Sequence, residues 1–218
     1  MYLSRLILNP RSRRVQSEVA NPYQMHRSLM RSFPDNLSPD DERVLFRLDN
    51  HPRTGILTLL VQSWNPPDWT WLNAPGALGY LLSVSECNPD TKRFGVQFWP
   101  GQLLAFRLRA NPTVKRSFDN DGHKRVGIYG EEGQTEWLRR KGTQSGFSLL
   151  SVRISDEGIV NGHVDRQEKR HALHLLAVQF DGVLRVDDAS RFSETVRQGI
   201  GSGKGLGFGL LSLAPPVA

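Results

Sequence analysis

The stretch NPYQMHRSLMRSF, residues 21–33, predicts the first helix of the chain and sets the order of the elements around it. Asn21 is a typical N-cap residue, and Pro22 suits the first helical position because an N–H there would have no helical partner. One face repeats apolar side chains at the i, i+4 and i+8 positions, Met25, Leu29 and Phe33. This spacing is typical of a helix that packs one face on a core and exposes the other.

The segments before and after this helix predict strands. Alternation of apolar and polar residues predicts a strand over 2–9, which a basic loop joins to the helix. Two strands follow at 43–49 and 55–63, then a weak helical segment at 65–73 and a strand candidate at 79–86. The order β-α-β-β-α-β is that of a ferredoxin-like domain.

The same pattern restarts after the turn-rich segment 87–101, which is the predicted linker. The second set comprises strands at 102–111 and 147–154, helices at 131–142 and 187–198, and a closing strand at 205–213. The dipeptide Asp181-Gly182, between two apolar runs, predicts a hairpin turn within 172–188. We therefore predict an α+β protein of two tandem ferredoxin-like (βαββαβ) domains, residues 1–93 and 94–218.

Composition narrows the class of protein. A chain of 218 residues suffices for one large domain or two small ones with real cores. Cys87 is the only cysteine, which excludes an intramolecular disulfide and a cysteine-cluster metal site and favours a reducing compartment. No stretch reaches the ~18 apolar residues of a membrane span, and the N-terminal apolar run is too short for a signal peptide. We expect a soluble cytoplasmic protein.

The formal charge of +6 is unevenly distributed along the chain. Residues 1–31 carry six basic and one acidic residue, residues 32–101 five and eight, and residues 102–218 seventeen and thirteen. Basic ends around an acidic middle indicate a patch, for which a nucleic acid backbone is the obvious partner. An ordinary solvated surface is the alternative, since +6 is modest for this length.

The run GIGSGKGLGFG, residues 199–209, has a glycine at every second position. The dinucleotide fingerprint fails because its third glycine would fall on a non-glycine position. The P-loop fails because Gln198 and Gly205 stand where it needs glycine and Ser or Thr. What remains is a loop around Lys204 whose backbone can approach a phosphate at Gly201, Gly203 and Gly205. Tight packing of a helix-to-strand turn is the alternative reason for the glycines.

The helix of residues 21–33 also carries groups suited to phosphodiester cleavage. Tyr23 and His26 are i, i+3 and share a face, with Arg27 and Arg31 along its edge. Histidine serves as acid or base near neutrality, and arginines stabilise charge on a phosphate, so this set suffices for metal-free attack by a ribose 2′-OH. Taken alone, the residues leave open a boundary histidine, a packing tyrosine and a solvated arginine face.

The remaining polar candidates favour structural roles. His171 and His174 form an HxxH, but in a strand they point to opposite faces, and no carboxylate at ligand spacing accompanies them. Helix capping or turn formation explains the two carboxylate pairs, Asp40-Asp41 and Asp187-Asp188. We predict no metal site and no cofactor.

Four segments resemble the CasE family, the CRISPR RNA-processing endoribonuclease of type I-E systems: MYLSRLILNPRSRR (1–14), NPYQMHR (21–27), FRLRANP (106–112) and GIGSGKGLGFGLLSLAPP (199–216). The resemblance implies cleavage of a CRISPR repeat hairpin at its 3′ base through 2′-OH attack, leaving a 2′,3′-cyclic phosphate and a 5′-OH. It also implies that the enzyme stays on the hairpin as a subunit of the Cascade complex. The family's YxxH carries over onto Tyr23, as base or positioner, and His26.

The resemblance further implies a basic β-hairpin that enters the groove of the repeat stem. In this chain the corresponding run is HVDRQEKRHALH, residues 163–174, which supplies Arg166, Lys169 and Arg170. With Arg27, Arg31 and Lys204, these are the cations expected at RNA, although a solvated face remains an alternative for the hairpin. Two rival functions stay open: a structural subunit that holds the RNA hairpin without cutting it, and an unrelated basic interaction module.

Overall fold

The computed structural model describes residues 1–38, 42–83, 87–95, 97–118, 122–166 and 169–216, without the side chains of 117, 118, 122, 123, 164–166, 169 and 170. The chain divides into two compact units. The first comprises Met1–Gly95, Asn161–Leu173 and Gly205–Gly207. The second comprises Val96–Val160, His174–Lys204 and Phe208–Ala218. Two short segments from the second half of the sequence therefore belong to the unit that contains the N-terminus.

The first unit contains a four-stranded antiparallel sheet. Its strands are β1 (Tyr2–Leu8), β2 (Leu45–Asn50), β3 (Leu57–Ser63) and β4 (Asp90–Arg93), in the order β2-β3-β1-β4. Two helices, α1 (Arg13–Ala20) and α2 (Pro22–Met30), connect β1 to β2. This strand order is ferredoxin-like, so the fold predicted for the N-terminal half is confirmed.

The apolar face of α2 packs on the inner face of this sheet. Leu6 and Leu8 alternate along β1 and are fully buried, and they share one core with Met25 and Leu29 of α2. Phe33 lies just beyond the helix end and is buried in the same core. The predicted apolar stripe is confirmed, and Ser28 is the one polar residue of α2 that is also buried.

The prediction of a basic loop between β1 and α2 is wrong, because residues 13–20 form α1. Val15 and Glu18 are the buried residues of this helix. A two-turn helix is marginal on its own and depends on such tertiary contacts. Glutamate is a polar residue, but Glu18 is buried because it has hydrogen-bond partners in the interior. The sequence pattern therefore did not reveal that Glu18 belongs to the buried face of this helix.

The strand predicted at 79–86 and the linker predicted at 87–101 also need correction. Leu81 makes only an isolated bridge with Leu8, and residues 84–86 lie outside the described chain. The fourth strand is β4, which lies inside the predicted linker. Its four residues are exposed, so no apolar alternation revealed it, and it is held by backbone pairing with β1. Short 3-10 turns, Thr70–Asn73 and Pro75–Ala77, replace a second α-helix and agree with the weak helical signal.

The second unit repeats the topology with longer strands. β5 (Leu103–Ala110), β8 (Phe147–Arg166), β9 (Lys169–Val186) and β10 (Leu211–Ala214) form a sheet in the order β10-β5-β9-β8, with helices α3 (Glu131–Ser145) and α4 (Ala189–Gln198). A separate two-stranded ribbon, β6 (Thr113–Phe118) and β7 (Gly122–Gly127), was not predicted. No helix in the described ranges is long and apolar enough to cross a membrane.

The hairpin turn predicted at Asp181-Gly182 is wrong, because both residues lie inside β9 opposite Arg107 and Phe106 of β5. Asp181 accepts a hydrogen bond from Arg107 Nε at 2.6 Å. A Cβ built on Gly182 would overlap the carbonyl oxygen of Ser151 in β8. The aspartate therefore serves an ion pair and the glycine a close approach of two backbones, which are in-strand reasons for this dipeptide.

The two carboxylate pairs and the closing strand were also predicted from the sequence. Asp188 caps α4 by accepting from the backbone N–H of Arg191 at 3.0 Å, which confirms the predicted capping role for this residue. Asp187 instead accepts from Arg185 Nε at 3.1 Å. Asp40 and Asp41 lie outside the described residues. The closing strand begins at Leu211 rather than at residue 205, because Lys204–Leu206 forms a 3-10 turn.

Candidate active site and nucleic-acid interface

Local sequence fixes the start of α2 as expected. Asn21 is the N-cap and its side-chain oxygen accepts from the backbone N–H of Tyr23 at 3.3 Å, with Pro22 in the first turn. Because Met25 and Leu29 bind the opposite face to the core, Tyr23 and His26 lie one turn apart on the other side of the helix. Both side chains are half-buried. The structure thus brings the two residues of the YxxH motif onto one helix face.

His26 lies in a partly dry environment. Its Nδ1 atom is buried and has no hydrogen-bond partner among the described residues. Burial lowers the pKa of His26 below its ordinary value of 6.5, because the charged imidazolium is the form that loses solvation. The lowered pKa therefore favours the neutral ring at pH 7, which is the form that can accept a proton.

The glycine-rich loop supplies a close neighbour of this ring. A Cβ built on Gly205 would lie 3.5 Å from His26 Cε1 and 3.6 Å from Nδ1, so the loop backbone lies against the imidazole. Gly205 and His26 belong to the same compact unit although 179 positions separate them. This backbone contact is one source of the burial of His26.

The other predicted glycines have different neighbours in the second unit. A Cβ at Gly201 would come within 3.2 Å of the Trp137 ring, and one at Gly203 within 3.2 Å of Phe208. Both have positive φ, 85° and 78°, which favours glycine. Packing thus explains these two positions. Lys204 lies between the loop glycines, and its stem packs near Gly209, where a Cβ would approach Cγ at 3.3 Å.

Arg27 and Arg31 lie at the edge of the α2 face and line one open cavity of about 450 Å³ with Arg14 of α1. Arg27 and Arg31 are exposed. The Arg31 guanidinium lies 5.0 Å from the centre of the Trp71 ring, a cation–π contact that orients it. The structure therefore brings the two predicted phosphate-binding arginines together and adds Arg14, which the sequence had not distinguished from its neighbours.

A buried polar network supports α1 and α2 from beneath this cavity. Glu18 is 4% exposed and accepts from Arg14 Nε at 2.8 Å, Ser28 Oγ at 2.5 Å and Tyr80 Oη at 2.6 Å. Burial, followed by the charge of Glu18, raises the pKa of Tyr80 far above its usual range, so its hydroxyl stays protonated and donates. Tyr80 is 62 residues from Glu18 along the chain, and no sequence signal links them.

For the three cations predicted in the basic hairpin, the structure describes the backbone only. Arg166 ends β8, and Lys169 and Arg170 begin β9, but their side chains lie outside the described part. Nearby, Asn21 Nδ2 donates to the carbonyl oxygen of His163 and Asn21 Oδ1 accepts from its N–H, each at 3.3 Å. The N-cap of α2 is thus tied to β8, a link between positions 142 apart that the sequence did not indicate.

The HxxH residues lie on β9, where His171 and His174 are both exposed. Within the described ranges, no group of three His, Cys, Asp or Glu side chains is placed to hold a metal ion.

Comparison with known proteins identifies the family. A family described as CRISPR associated protein matches residues 1–215. The chain is 38% identical over 225 residues to the CRISPR-associated endoribonuclease Cse3 of Thermus thermophilus, covering 99% of this chain and all of that protein. The chain belongs to the Cse3/CasE family of CRISPR-associated proteins. It is also 31% identical to the Cascade subunit CasE of Escherichia coli K12, again over 99% of this chain and all of the relative.

The fold agrees with that of a solved member of the Cse3/CasE family. A structure of the endoribonuclease Cse3 bound to a 19-nucleotide RNA superimposes with a TM-score of 0.83 at 37% identity, covering 99% of this chain and 100% of that one. The fold match confirms the two predicted ferredoxin-like domains, and the family match confirms the sequence resemblance.

Proposed function

We propose that this chain is an endoribonuclease that binds the stem-loop of CRISPR repeat RNA and cleaves the precursor at the 3′ base of the hairpin. The single observation that carries this proposal is the pairing of Tyr23 with a half-buried, neutral His26 on one face of α2, in a Cse3/CasE family member. The sequence similarity to an endoribonuclease over the whole chain supports the activity.

The proposed reaction is an internal transesterification. The ribose 2′-oxygen forms a bond to the adjacent phosphorus while the bond from phosphorus to the 5′-oxygen breaks, leaving a 2′,3′-cyclic phosphate and a 5′-OH. One proton leaves the 2′-oxygen and one reaches the 5′-oxygen. In our proposal the neutral His26 accepts the proton from the 2′-oxygen and passes it to the 5′-oxygen, because its lowered pKa leaves the ring free to accept one at pH 7. Tyr23, one turn away, assists as base or positions the reacting groups.

Charge on the phosphate needs stabilisation in the transition state. We assign this role to Arg27 and Arg31, whose shared cavity and exposed guanidinium groups support it. Fixed cations near the phosphate and one titrating group provide every element of the reaction. The proposed mechanism therefore requires no metal or other cofactor.

The proposed division of labour follows the predicted domains. Residues 1–93 carry the catalytic helix, and residues 94–218 provide the main grip on RNA. Arg166, Lys169 and Arg170 would contact the stem backbone, which is recognised mostly by shape. Lys204 and the backbone at Gly201, Gly203 and Gly205 would contact phosphate.

After cleavage, the proposed enzyme remains on the RNA hairpin and becomes a subunit of a cytoplasmic Cascade complex. The similarity to the Cascade subunit CasE of E. coli supports this assignment. Tight retention of the product would limit each molecule to about one turnover.

A gel assay with a labelled repeat hairpin tests the proposal. Wild-type protein should cut once at the 3′ base of the stem, with or without EDTA, and the 5′ product should carry a cyclic phosphate. A scrambled RNA of equal length should be neither bound tightly nor cut. Binding of the repeat hairpin without cleavage would favour the non-catalytic subunit, and equal binding of both RNAs would favour a general basic module.

A further inference from the structure

Asn21 lies at the corner between α1 and α2 and makes more hydrogen bonds than a helix cap needs. Its backbone N–H donates to the Ser17 carbonyl oxygen at 3.1 Å at the end of α1, and its side-chain Oδ1 accepts from the N–H of Tyr23 at the start of α2. The residue is only 5% exposed. Asparagine, aspartate and serine cap helices about equally well, so capping alone does not explain the rest of the amide.

The remaining hydrogen bonds of the amide go to one distant residue, His163. Oδ1 accepts from the His163 N–H and Nδ2 donates to the His163 carbonyl oxygen, each at 3.3 Å. Oδ1 therefore accepts two hydrogen bonds and uses both of its lone pairs. An amide presents a separate donor and acceptor, whereas a carboxylate only accepts and a hydroxyl has a single atom. The pairing with His163 thus needs an amide, although the cap does not.

Gly162 allows β8 to come this close to Asn21. A Cβ added to Gly162 would lie 2.9 Å from Asn21 Oδ1 and 3.4 Å from Pro22 Cδ. The φ angle of Gly162 is not in the positive range, so backbone conformation does not require a glycine here. A glycine inside a strand often marks the close approach of another part of the chain. The glycine and the amide are therefore two separate features that serve the same contact, which we call the Asn21–β8 contact.

The Asn21–β8 contact lies beside the proposed catalytic residues. The segment Asn161–Leu173 belongs to the same compact unit as α2 and includes most of the run in which the basic hairpin is predicted. The contact thus attaches the first turn of α2, which carries Tyr23, to a strand that leads into this run. One turn further along, His26 lies against Gly205. Two distant segments of the chain therefore hold the helix, one at its N-terminus and one at the imidazole.

We propose that Asn21 is a positioning residue for the cleavage reaction, acting through the Asn21–β8 contact on the orientation of Tyr23 and His26. The inference rests on the proposed function, since it assigns the amide a role in that cleavage. A displacement of ~1 Å in reacting groups can cost about 10²-fold in rate, so a fixed helix start matters to the chemistry. Because Asn21 is buried and acts through the helix, loss of the contact should slow cleavage of bound RNA with little effect on affinity.

The first test is Asn21→Ser, which separates the cap from the contact. The serine hydroxyl can still accept from the N–H at the start of α2, but it is too short to pair with both backbone groups of His163. The single-turnover rate at saturating repeat hairpin should fall about 10-fold or more, while affinity stays within about three-fold of wild type. Loss of two hydrogen bonds should lower the melting temperature by about 4–8 °C, and circular dichroism at the assay temperature checks that the variant is folded.

Asn88→Ser is the matched control, because Asn88 makes the same kind of pairing on β1. Its Oδ1 accepts from the N–H of Ile7 and its Nδ2 donates to the Ile7 carbonyl oxygen, each at 2.9 Å. Nδ2 also donates to the carbonyl oxygen of Leu82. The control should therefore lose at least as much stability as Asn21→Ser and still cleave within about two-fold of the wild-type rate. Equal slowing of cleavage in both variants would overturn the proposal, because lost stability alone would then account for it.

Gly162→Ala tests the contact from the side of β8. Its methyl group would press on Asn21 Oδ1, so this variant should also slow cleavage of bound RNA. In the Asn21→Ser background that oxygen is absent, and adding Gly162→Ala should change the rate by less than about two-fold. Such non-additivity is expected only of residues that act through one contact. Losses that multiply in the double variant would contradict a shared contact.

The same assays distinguish this inference from the proposed function. A wild type that cuts the hairpin, with Asn21→Ser cutting equally fast, overturns the positioning role and leaves the proposed function intact. A wild type that binds the hairpin without cutting it contradicts the proposed function and, with it, the role of Asn21 in the reaction.

Discussion

The imidazole of His26 lies against the backbone of Gly205, where an added Cβ would be 3.5 Å from Cε1. This is an ordinary van der Waals distance, so the position accepts a methyl group but not a long side chain. The contact joins helix α2 to a loop near the C-terminus. It therefore links two of the sequence motifs that carry the family resemblance.

Substitutions at Gly205 should show different effects on cleavage for a small and a large side chain. Gly205→Ala should retain cleavage within a few-fold, because its methyl fits beside the ring without displacing it. Gly205→Leu should reduce the single-turnover rate at saturating RNA by about 10-fold or more, since an imidazole moved by ~1 Å loses its geometry. Melting temperatures of both variants provide the control for folding, and equal rates would contradict a defined contact.

The pH dependence of cleavage should report the environment of His26. Burial lowers its pKa below 6.5, so the neutral base is fully present at pH 7–8 and is lost as pH falls through the lowered value. The rate at subsaturating RNA should therefore be level above pH 7 and decline below pH 6.5. A rate that falls from pH 6 to pH 8 would assign His26 the acid role instead. His51→Gln, an exposed turn histidine, should leave the profile unchanged.

The network around Glu18 should dominate the stability of the helices α1 and α2. Glu18→Ala leaves Arg14, Ser28 and Tyr80 without their common acceptor and should lower the free energy of unfolding by about 3–5 kcal/mol. The matched control is Glu136→Ala, which breaks an exposed pair with Arg139 at 3.7 Å and should cost less than ~1 kcal/mol. Urea titrations measure both, and similar costs would refute the importance of the buried network.

Gly182 should be among the least replaceable glycines of the second unit. A Cβ there overlaps the Ser151 carbonyl, so Gly182→Ala must force β8 and β9 apart and should cost about 1–3 kcal/mol. Gly76 has open space around its added Cβ, and Gly76→Ala should change stability by less than ~0.5 kcal/mol. Equal stability of the two variants in urea titrations would contradict the close approach of β8 and β9 at Gly182.

Local signals in the sequence predicted the parts of the fold that depend on local physics. The cap at Asn21 and the stripe of Met25 and Leu29 follow from helix geometry, and they alone direct Tyr23 and His26 away from the core. Alternation predicted β1 and β5, and each of these strands buries alternate residues.

The elements that escaped prediction depend on distant partners. β4 has four exposed residues and exists through pairing with β1, 85 residues away at Arg5 and Asp90. Asp181-Gly182 has the composition of a turn, but Arg107 and Ser151 give it a different role. The contact between His26 and Gly205 likewise joins residues far apart in the sequence, so no local pattern predicted it.

The most direct test of the central claim is the His26→Ala variant in single-turnover cleavage of a repeat hairpin, with EDTA present and RNA affinity measured on the same preparation. Removing a positioned proton-transfer group should slow cleavage by about 10²–10⁴-fold, while affinity stays within a few-fold of wild type. Cleavage at the wild-type rate by His26→Ala, or loss of wild-type cleavage on adding EDTA, would contradict metal-free catalysis by His26.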